Sequence, residues 1–277
     1  MILKIPRQNT HWNGCVNKTV KPNPVIAQML RHRSIRKYTT KKPSDKTIRT
    51  VVRAGQCAAY AAQLYSLVLT TEREKHPFNA PLLFTVCVDL HKMELIMKRR
   101  GWRWASNDLY ALLLGAQDAA YMAQNMILAA ESLGLGTCLL GGTPMLAAAL
   151  GKRLSLPKRV FPLVQLAVGY PAEAPPARPR YPLEFVLFKN RYPKISRADT
   201  AKAMRTMDRG FLAQGYYKNA GLMLPLAKGR KETYTFDDYS WTEHQSRKWG
   251  QWNPDVKPLL ALFRERGFRL APDKTKK

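Results

Sequence analysis

Residues 109–135 are apolar enough to invite comparison with a membrane span, yet the stretch contains Gln117, Asp118, Gln124, Asn125, Glu131 and Ser132. Acids and amides are costly in hydrocarbon, where water cannot serve them. The segment therefore reads as a long helix buried inside a soluble protein. Asn107 or Ser106 offers the side-chain oxygen of an N-cap. Gly134 and Gly136 fit the C-terminal stop, where a left-handed residue is wanted. A helix of this kind needs a sheet and further helices to cover it. The chain has 277 residues, 45% hydrophobic and 23% charged, which is enough to build that core.

The covering elements are legible around it. Ser44 suits the N-cap of a helix through Lys46, Ile48, Val51 and Val52. Residues 64–70, 82–89, 137–140 and 161–168 read as strands, the second of them buried. A short helix is expected over 25–32 and another over 144–150, followed by a turn at 154–157. The stretch 172–182, rich in proline and arginine, should be an extended loop. The elements do not alternate strand with helix, so the fold class expected is α+β rather than a dinucleotide-binding α/β sheet. Gly134 and Gly136 follow a helix, which is the wrong context for a dinucleotide fingerprint. The organisation expected is an irregular arm over 1–24, a core over 25–190 and an extension over 191–277 that packs on the core or on a partner subunit.

The charge is unusual: 46 Lys and Arg face 19 Asp and Glu, a net +27. Such a balance favours polyanions or phosphorylated ligands. The bases are spread along the chain, with clusters at Lys152-Arg153, Lys158-Arg159, 228–231 and 264–277. A basic solvated surface is the first reading, and a nucleic-acid site remains an alternative that this distribution does not favour. Cys15, Cys57, Cys87 and Cys138 form no C-x-x-C pair, and no His stands at a metal-like spacing from any of them. Cys57, Cys87 and Cys138 lie in apolar runs, as small buried hydrophobes do. A reducing compartment, no metal, no signal peptide and no membrane span are the corresponding expectations.

No metalloprotease, Walker or nucleophile-elbow motif is present. Chemistry would therefore come from a bound cofactor. Two basic constellations could hold one. In His32-Arg33-Ser34-Ile35-Arg36, an extended backbone puts His32, Ser34 and Arg36 on one face. Guanidinium forks and a hydroxyl suit a phosphate monoester. In Arg178-Pro179-Arg180, the proline holds the chain extended between two arginines.

The order of blocks is more specific than either cluster. His32 to Arg36 is followed by the A-A-x-x-A-Q-N-x-x-x-A-A-E-S-L-G-L-G-T run over 119–137, then Gly141-Gly142. F-P-L-x-x-L-x-V-G-Y-P-A-E-x-P-x-x-R-P-R-x-P-L-E follows over 161–184. This series resembles the nitroreductase superfamily, most closely its larger NADPH-dependent nitroreductases and flavin reductases, over about residues 25–190.

The resemblance implies a mixed or antiparallel sheet flanked by helices, in an intertwined homodimer with FMN at the subunit interface. His32, Arg33, Ser34 and Arg36 match the motif that holds the FMN phosphate and ribityl chain. Arg178 and Arg180 match a later loop that closes on FMN. Gly141 and Gly142 match a glycine pair whose backbone passes close to the flavin ring, and Gln63 matches a glutamine of an FMN loop. The segment 56–62, Gln-Cys-Ala-Ala-Tyr-Ala-Ala, departs from the serines or asparagine usual there. The resemblance further implies an NAD(P)H oxidoreductase of the cytoplasm. It would reduce nitroaromatics, quinones or flavins by ping-pong hydride transfer through flavin N5, with no dedicated catalytic side chain. Lys218 and Arg230, in the extension, match basic residues that face NADPH, although NADH as donor remains open. The alternative is a polyanion-binding protein on the same scaffold, with little redox activity.

Overall fold

The structure is a computed structural model and describes residues 23–105, 107–227 and 229–270. The arm over 1–22, the Ser106 cap alternative, Cys15, Lys228 and the basic residues after 270 lie outside the described residues. The chain forms two compact units. Among the described residues, one comprises 27–175 and 255–270, and the other comprises 23–26 and 176–254.

The first unit is built on four strands: β1 (Tyr65–Thr70), β2 (Leu82–Asp89), β3 (Gly136–Leu140) and β4 (Val160–Gly169). They pair in the order β1-β2-β4-β3, every neighbour antiparallel. The expected α+β class and all four expected strands are present. Every residue of β2 is buried, as its unbroken apolar run requires.

After the short helix α1 (Pro24–Leu30), α2 (Asp45–Gln56) starts where Ser44 accepts a hydrogen bond from the amide of Thr47. A further helix, α3 (His91–Arg99), was not apparent from the sequence. The long helix α4 (Asp108–Ser132) is capped by Asn107, whose side chain accepts from the amides of Leu109 and Tyr110. Gly134 follows with φ +78°, the left-handed residue that ends it. Asp108, Ala111, Gly115, Asp118, Met122, Met126 and Ala130 of α4 are buried at steps of three and four. Of these, Met122, Met126 and Ala130 pack with Val51 of α2 and with Leu82, Phe84, Val86 and Leu166 of the sheet, while Ala111 joins Leu64, Val88 and Leu90. The opposite side of α4 is not buried as expected: Leu109, Tyr110, Leu113 and Tyr121 are exposed. A helix apolar all round needs two covers, and the described chain supplies one.

The helix expected over 144–150 divides into a 3-10 turn, Thr143–Leu146, and α5 (Ala147–Arg153). Cys87 and Cys138 are buried, but Cys57 is exposed because it closes α2 as its C-cap. Arg159 also differs from expectation: it is no surface charge but a buried one, donating from both terminal nitrogens to the Asp108 carboxylate at 2.8 Å.

The segment from Asp255 returns to this unit as α9 (Lys257–Glu265). Phe263 stacks on Phe161 at 4.5 Å between centroids, and Phe268 joins the cluster of Leu64, Val88 and Leu90. In the second unit, α6 (Arg197–Ala213) begins with a capping box between Ser196 and Asp199. Together with α7 (Tyr216–Ala220) and α8 (Trp241–Gln251), it encloses Met207, Phe211, Tyr217 and Tyr239.

Candidate functional site

The segment 32–36 lies along β3. Ser34 pairs with Thr137 in a parallel bridge, and the Ile35 amide donates to the Thr137 carbonyl at 2.8 Å. Ile35 is buried against Gly136, where a Cβ would stand 2.6 Å from the Ile35 side chain. Burying Ile35 in this way leaves its neighbours His32, Arg33 and Ser34 half-buried and Arg36 exposed.

Two carboxylates fix this segment. Glu131, at the end of α4, lies 2.6 Å from Nδ1 of His32. A carboxylate can only accept, so Nδ1 carries the hydrogen and Nε2 is left to face a ligand. The Thr137 hydroxyl also donates to Glu131. Glu173 accepts the backbone amides of Arg36 and Lys37. Those amides are therefore committed, and a phosphate there would rely on side chains. Beneath the segment, the Cys138 thiol is pushed up by burial, and Arg36 opposes that shift. Tyr38 is likewise raised by burial, and its hydroxyl donates to the Ile35 carbonyl at 2.6 Å.

β3 runs from this segment to Gly141 and Gly142. At the rise of a strand the distance is roughly 15 Å. Neither glycine has a positive φ, and a Cβ at either would meet no protein atom within 4 Å. Neither backbone strain nor protein packing therefore demands glycine here. A close-approaching flat ligand would. The donor set at one end and the bare backbone at the other fit a molecule with a phosphate and a ring, as FMN is.

Gln63 is not part of this cluster. It precedes β1, at the edge of the sheet opposite β3, and has φ +52°. Its loop hangs on Asp118 of α4, whose carboxylate accepts from the amides of Ala61, Ala62 and Leu64 at 2.6, 3.1 and 3.0 Å. The sequence departs from serine and asparagine in this loop, and a single buried acid holds its backbone instead.

Arg178, Arg180, Lys218 and Arg230 belong to the second unit. Arg178 donates to the Gln214 side chain at 2.7 Å and lies over the Tyr216 ring at 4.1 Å. Pro179 is buried against Gly210, where an added Cβ would stand 2.5 Å from its ring. Arg180 is exposed and turns back on the carbonyls of Arg178 and Pro179. Lys218 pairs with Asp237 at 2.6 Å beside a 210 Å³ cavity lined by Phe211, Tyr216, Tyr217 and Phe236. Arg230 is exposed on the loop that follows. In the same unit, the buried Arg247 guanidinium holds the Glu232 carboxyl down to about 2.

The clusters of bases do not reveal the acids that hold the segment over 32–36 and the loop before β1. Asp118, Glu131 and Glu173 are scarce residues, drawn from 19 acids in a chain of 46 bases. An acid in an apolar run, in a chain so poor in acids, was the available signal.

A model of the Nitroreductase family matches residues 65–170. The chain is 32% identical over 203 residues to an FMN reductase (NADPH) of Bacillus subtilis, covering 68% of this chain and 81% of that protein. It is 30% identical over 207 residues to an oxygen-insensitive NADPH nitroreductase of Salmonella typhimurium, covering 70% and 85%. Its structure is similar to that of an NADPH:FMN oxidoreductase of Vibrio harveyi solved with NAD+. The TM-score is 0.70 at 26% identity, over 87% of this chain and 98% of that one.

Proposed function

The chain belongs to the nitroreductase family, and from that premise we propose that it is an FMN-dependent oxidoreductase that takes hydride from NADPH or NADH. The observation that carries this reading is the β3 edge, where the 32–36 segment lies at one end and an unencumbered glycine pair at the other. Held along that edge, FMN would supply the hydride-transfer chemistry between a nicotinamide and a nitro group, a quinone or a second flavin.

The chain's own residues would bind and orient. Arg33, Ser34, Arg36 and Nε2 of His32 take the phosphate end, where charge-assisted bonds are strongest. The arginine of this set not tied by its own amide, Arg33, spends one nitrogen on the Pro175 carbonyl at 3.1 Å and so holds a fixed direction. Arg178 and Arg180 are assigned to FMN on the resemblance of their loop alone. Lys218 and Arg230 meet the 2′-phosphate of NADPH. The backbone of Gly141 and Gly142 admits the ring.

We assign a homodimer to the active form. Gln63 lies three strands away from the β3 edge, about 14 Å at the usual strand spacing. A partner copy that brings its own loop over 57–63 to that edge would complete the ring site. The exposed stripe of Leu109, Tyr110, Leu113 and Tyr121 on α4 would be the contact. The three described cysteines are free, which suits the reducing cytoplasm we assign to it.

The test is anaerobic reduction of the FMN-loaded protein by each nicotinamide. The expected result is a yellow protein whose flavin bleaches on adding NADPH and recolours with a quinone, with ping-pong steady-state kinetics. A protein that takes up no FMN would sink the reading. Arg36→Ala with Arg180→Ala should release the flavin; retention would show that the phosphate end lies elsewhere.

A further inference from the structure

In the unit that carries the sheet, α3 and the turn after it form a surface that the flavin site does not use. The helix turns Met93, Glu94 and Met97 inward. Met93 packs on the cluster around Leu64 and Val88, and Glu94 lies 2.8 Å from the Arg159 guanidinium. At about 100° per residue, Leu95, Ile96 and Arg99 fall together on the outer side. Leu95 is 50% exposed and Ile96 55%.

The helix ends in a Schellman motif. The Gly101 amide donates to the Lys98 carbonyl at 3.1 Å and the Trp102 amide to the Met97 carbonyl at 2.8 Å, with φ +77° at Gly101. This fixes the backbone of Trp102, yet its indole is 71% exposed. Lys98, Arg99, Arg100 and Arg103 flank it in the chain. All four are exposed, and none has an ion pair among the described residues. The segment's single acid, Glu94, is committed to Arg159.

Two kinds of chemistry share this surface. Aliphatic side chains and an indole stand in water, and four cations lack counter-charge. A second copy of the chain docked here would set those cations against their own kind. A polynucleotide would use the cations and the indole but leave Leu95 and Ile96 wet. An anionic lipid surface uses all three groups. The indole sits at headgroup level, the aliphatics enter the acyl boundary, and the long basic stems reach back to the phosphates. No helix among the described residues is long and apolar enough to cross a membrane, so the contact is peripheral.

We propose that residues 95–103 form a docking surface for an anionic lipid bilayer. The surface is distinct from the flavin site and does not depend on that reading. A chain of +27 will be drawn to any polyanion, so the test must separate this patch from the general charge. The FMN-loaded full chain is sedimented with vesicles of phosphatidylcholine alone and of an equal mixture with phosphatidylglycerol. Binding to the mixture alone is expected. Ile96→Ser with Trp102→Ser leaves the net charge unchanged and should weaken that binding about tenfold. Arg99→Glu with Arg100→Glu should weaken it about tenfold more than Lys152→Glu with Arg153→Glu, which alters the net charge equally.

Equal binding to phosphatidylcholine alone would overturn the proposal. So would undiminished binding by the serine pair, or equal losses from the two glutamate pairs. A labelled single-stranded oligonucleotide is titrated in parallel. If Trp102 matters for the oligonucleotide but not for vesicles, the surface is a nucleic-acid site and the lipid reading is wrong. Exposed positions tolerate these changes, and circular dichroism with flavin content confirms that each variant is folded.

Discussion

Two buried acids of α4 can each be tested by a single substitution. Asp108 is fully buried and bound by both terminal nitrogens of Arg159 and by the Arg269 amide. Burial by itself would raise its carboxyl, but those bonds outweigh it and hold the group below its usual value. Asp108→Asn leaves the buried Arg159 charge with Glu94 as its one remaining carboxylate and should destabilise the fold at neutral pH by less than the roughly 3–5 kcal/mol that a buried charge stripped of every partner costs. A carboxyl depressed in the folded state stabilises fully above its unfolded value, about 3.9, and loses that contribution as pH falls through the folded one. The gap between wild type and Asp108→Asn in urea unfolding should therefore be widest at neutral pH and narrow in strong acid. A gap independent of pH would show that the ion pair is not its source. Asp118→Ala orphans three amides and should cost about 3 kcal/mol. It should also weaken FMN binding, because the loop over 61–64 loses its anchor; fluorescence titration of the flavin reads that directly. None of these roles was legible locally. Asp118 showed in the sequence only as a blemish in an apolar helix, and its partners are more than fifty residues away.

At the scale of elements, legibility followed the range of the forces involved. The four strands and α4 rest on apolar runs and caps that lie within a few residues, so their order could be read directly. α6 carries an equally local signal in Ser196 and Asp199, which the mixing of aromatic and polar residues in that region obscures. α9 could not be placed from its own residues. Its position on the sheet depends on Phe263 meeting Phe161, a contact between distant parts of the chain. Gly115 of α4 decides between a local and a distant effect. Helix propensity favours Gly115→Ala by about 1 kcal/mol. The new Cβ, however, would stand 2.6 Å from the Val88 Cγ1 and 3.2 Å from the Leu64 carbonyl oxygen. That oxygen cannot retreat, since it accepts the Asp89 amide at 2.9 Å while the Leu64 amide is held by Asp118. Overpacking of this kind costs about 1–3 kcal/mol. The substitution should lower the melting temperature, and a rise would mean that the α4–sheet contact is looser than these distances state.

Over the whole molecule, charge and association pull in opposite directions. A net +27 repels a second copy, and the repulsion falls as salt shortens the Debye length. Burying the apolar stripe of α4 attracts the second copy and is little affected by salt. Tyr121 and Leu113 lie on that stripe without a charged neighbour between them, for positions 114–120 contain one acid, Asp118, and it faces inward. The proposed dimer should therefore be favoured by moderate salt, and its apparent melting temperature should rise with protein concentration, as for any fold stabilised by its own partner. Leu113→Glu places a carboxylate where two stripes would meet and should give a monomer by sedimentation. The stripe is exposed in the single chain, so the variant loses little of the fold within one copy. The flavin site supplies the second readout. If the loop over 57–63 reaches the β3 edge only from a partner copy, the Leu113→Glu monomer should keep a folded spectrum while losing FMN. A monomer that holds flavin as tightly as the parent would show that one chain completes the site alone, and Gln63 would then have no part in it.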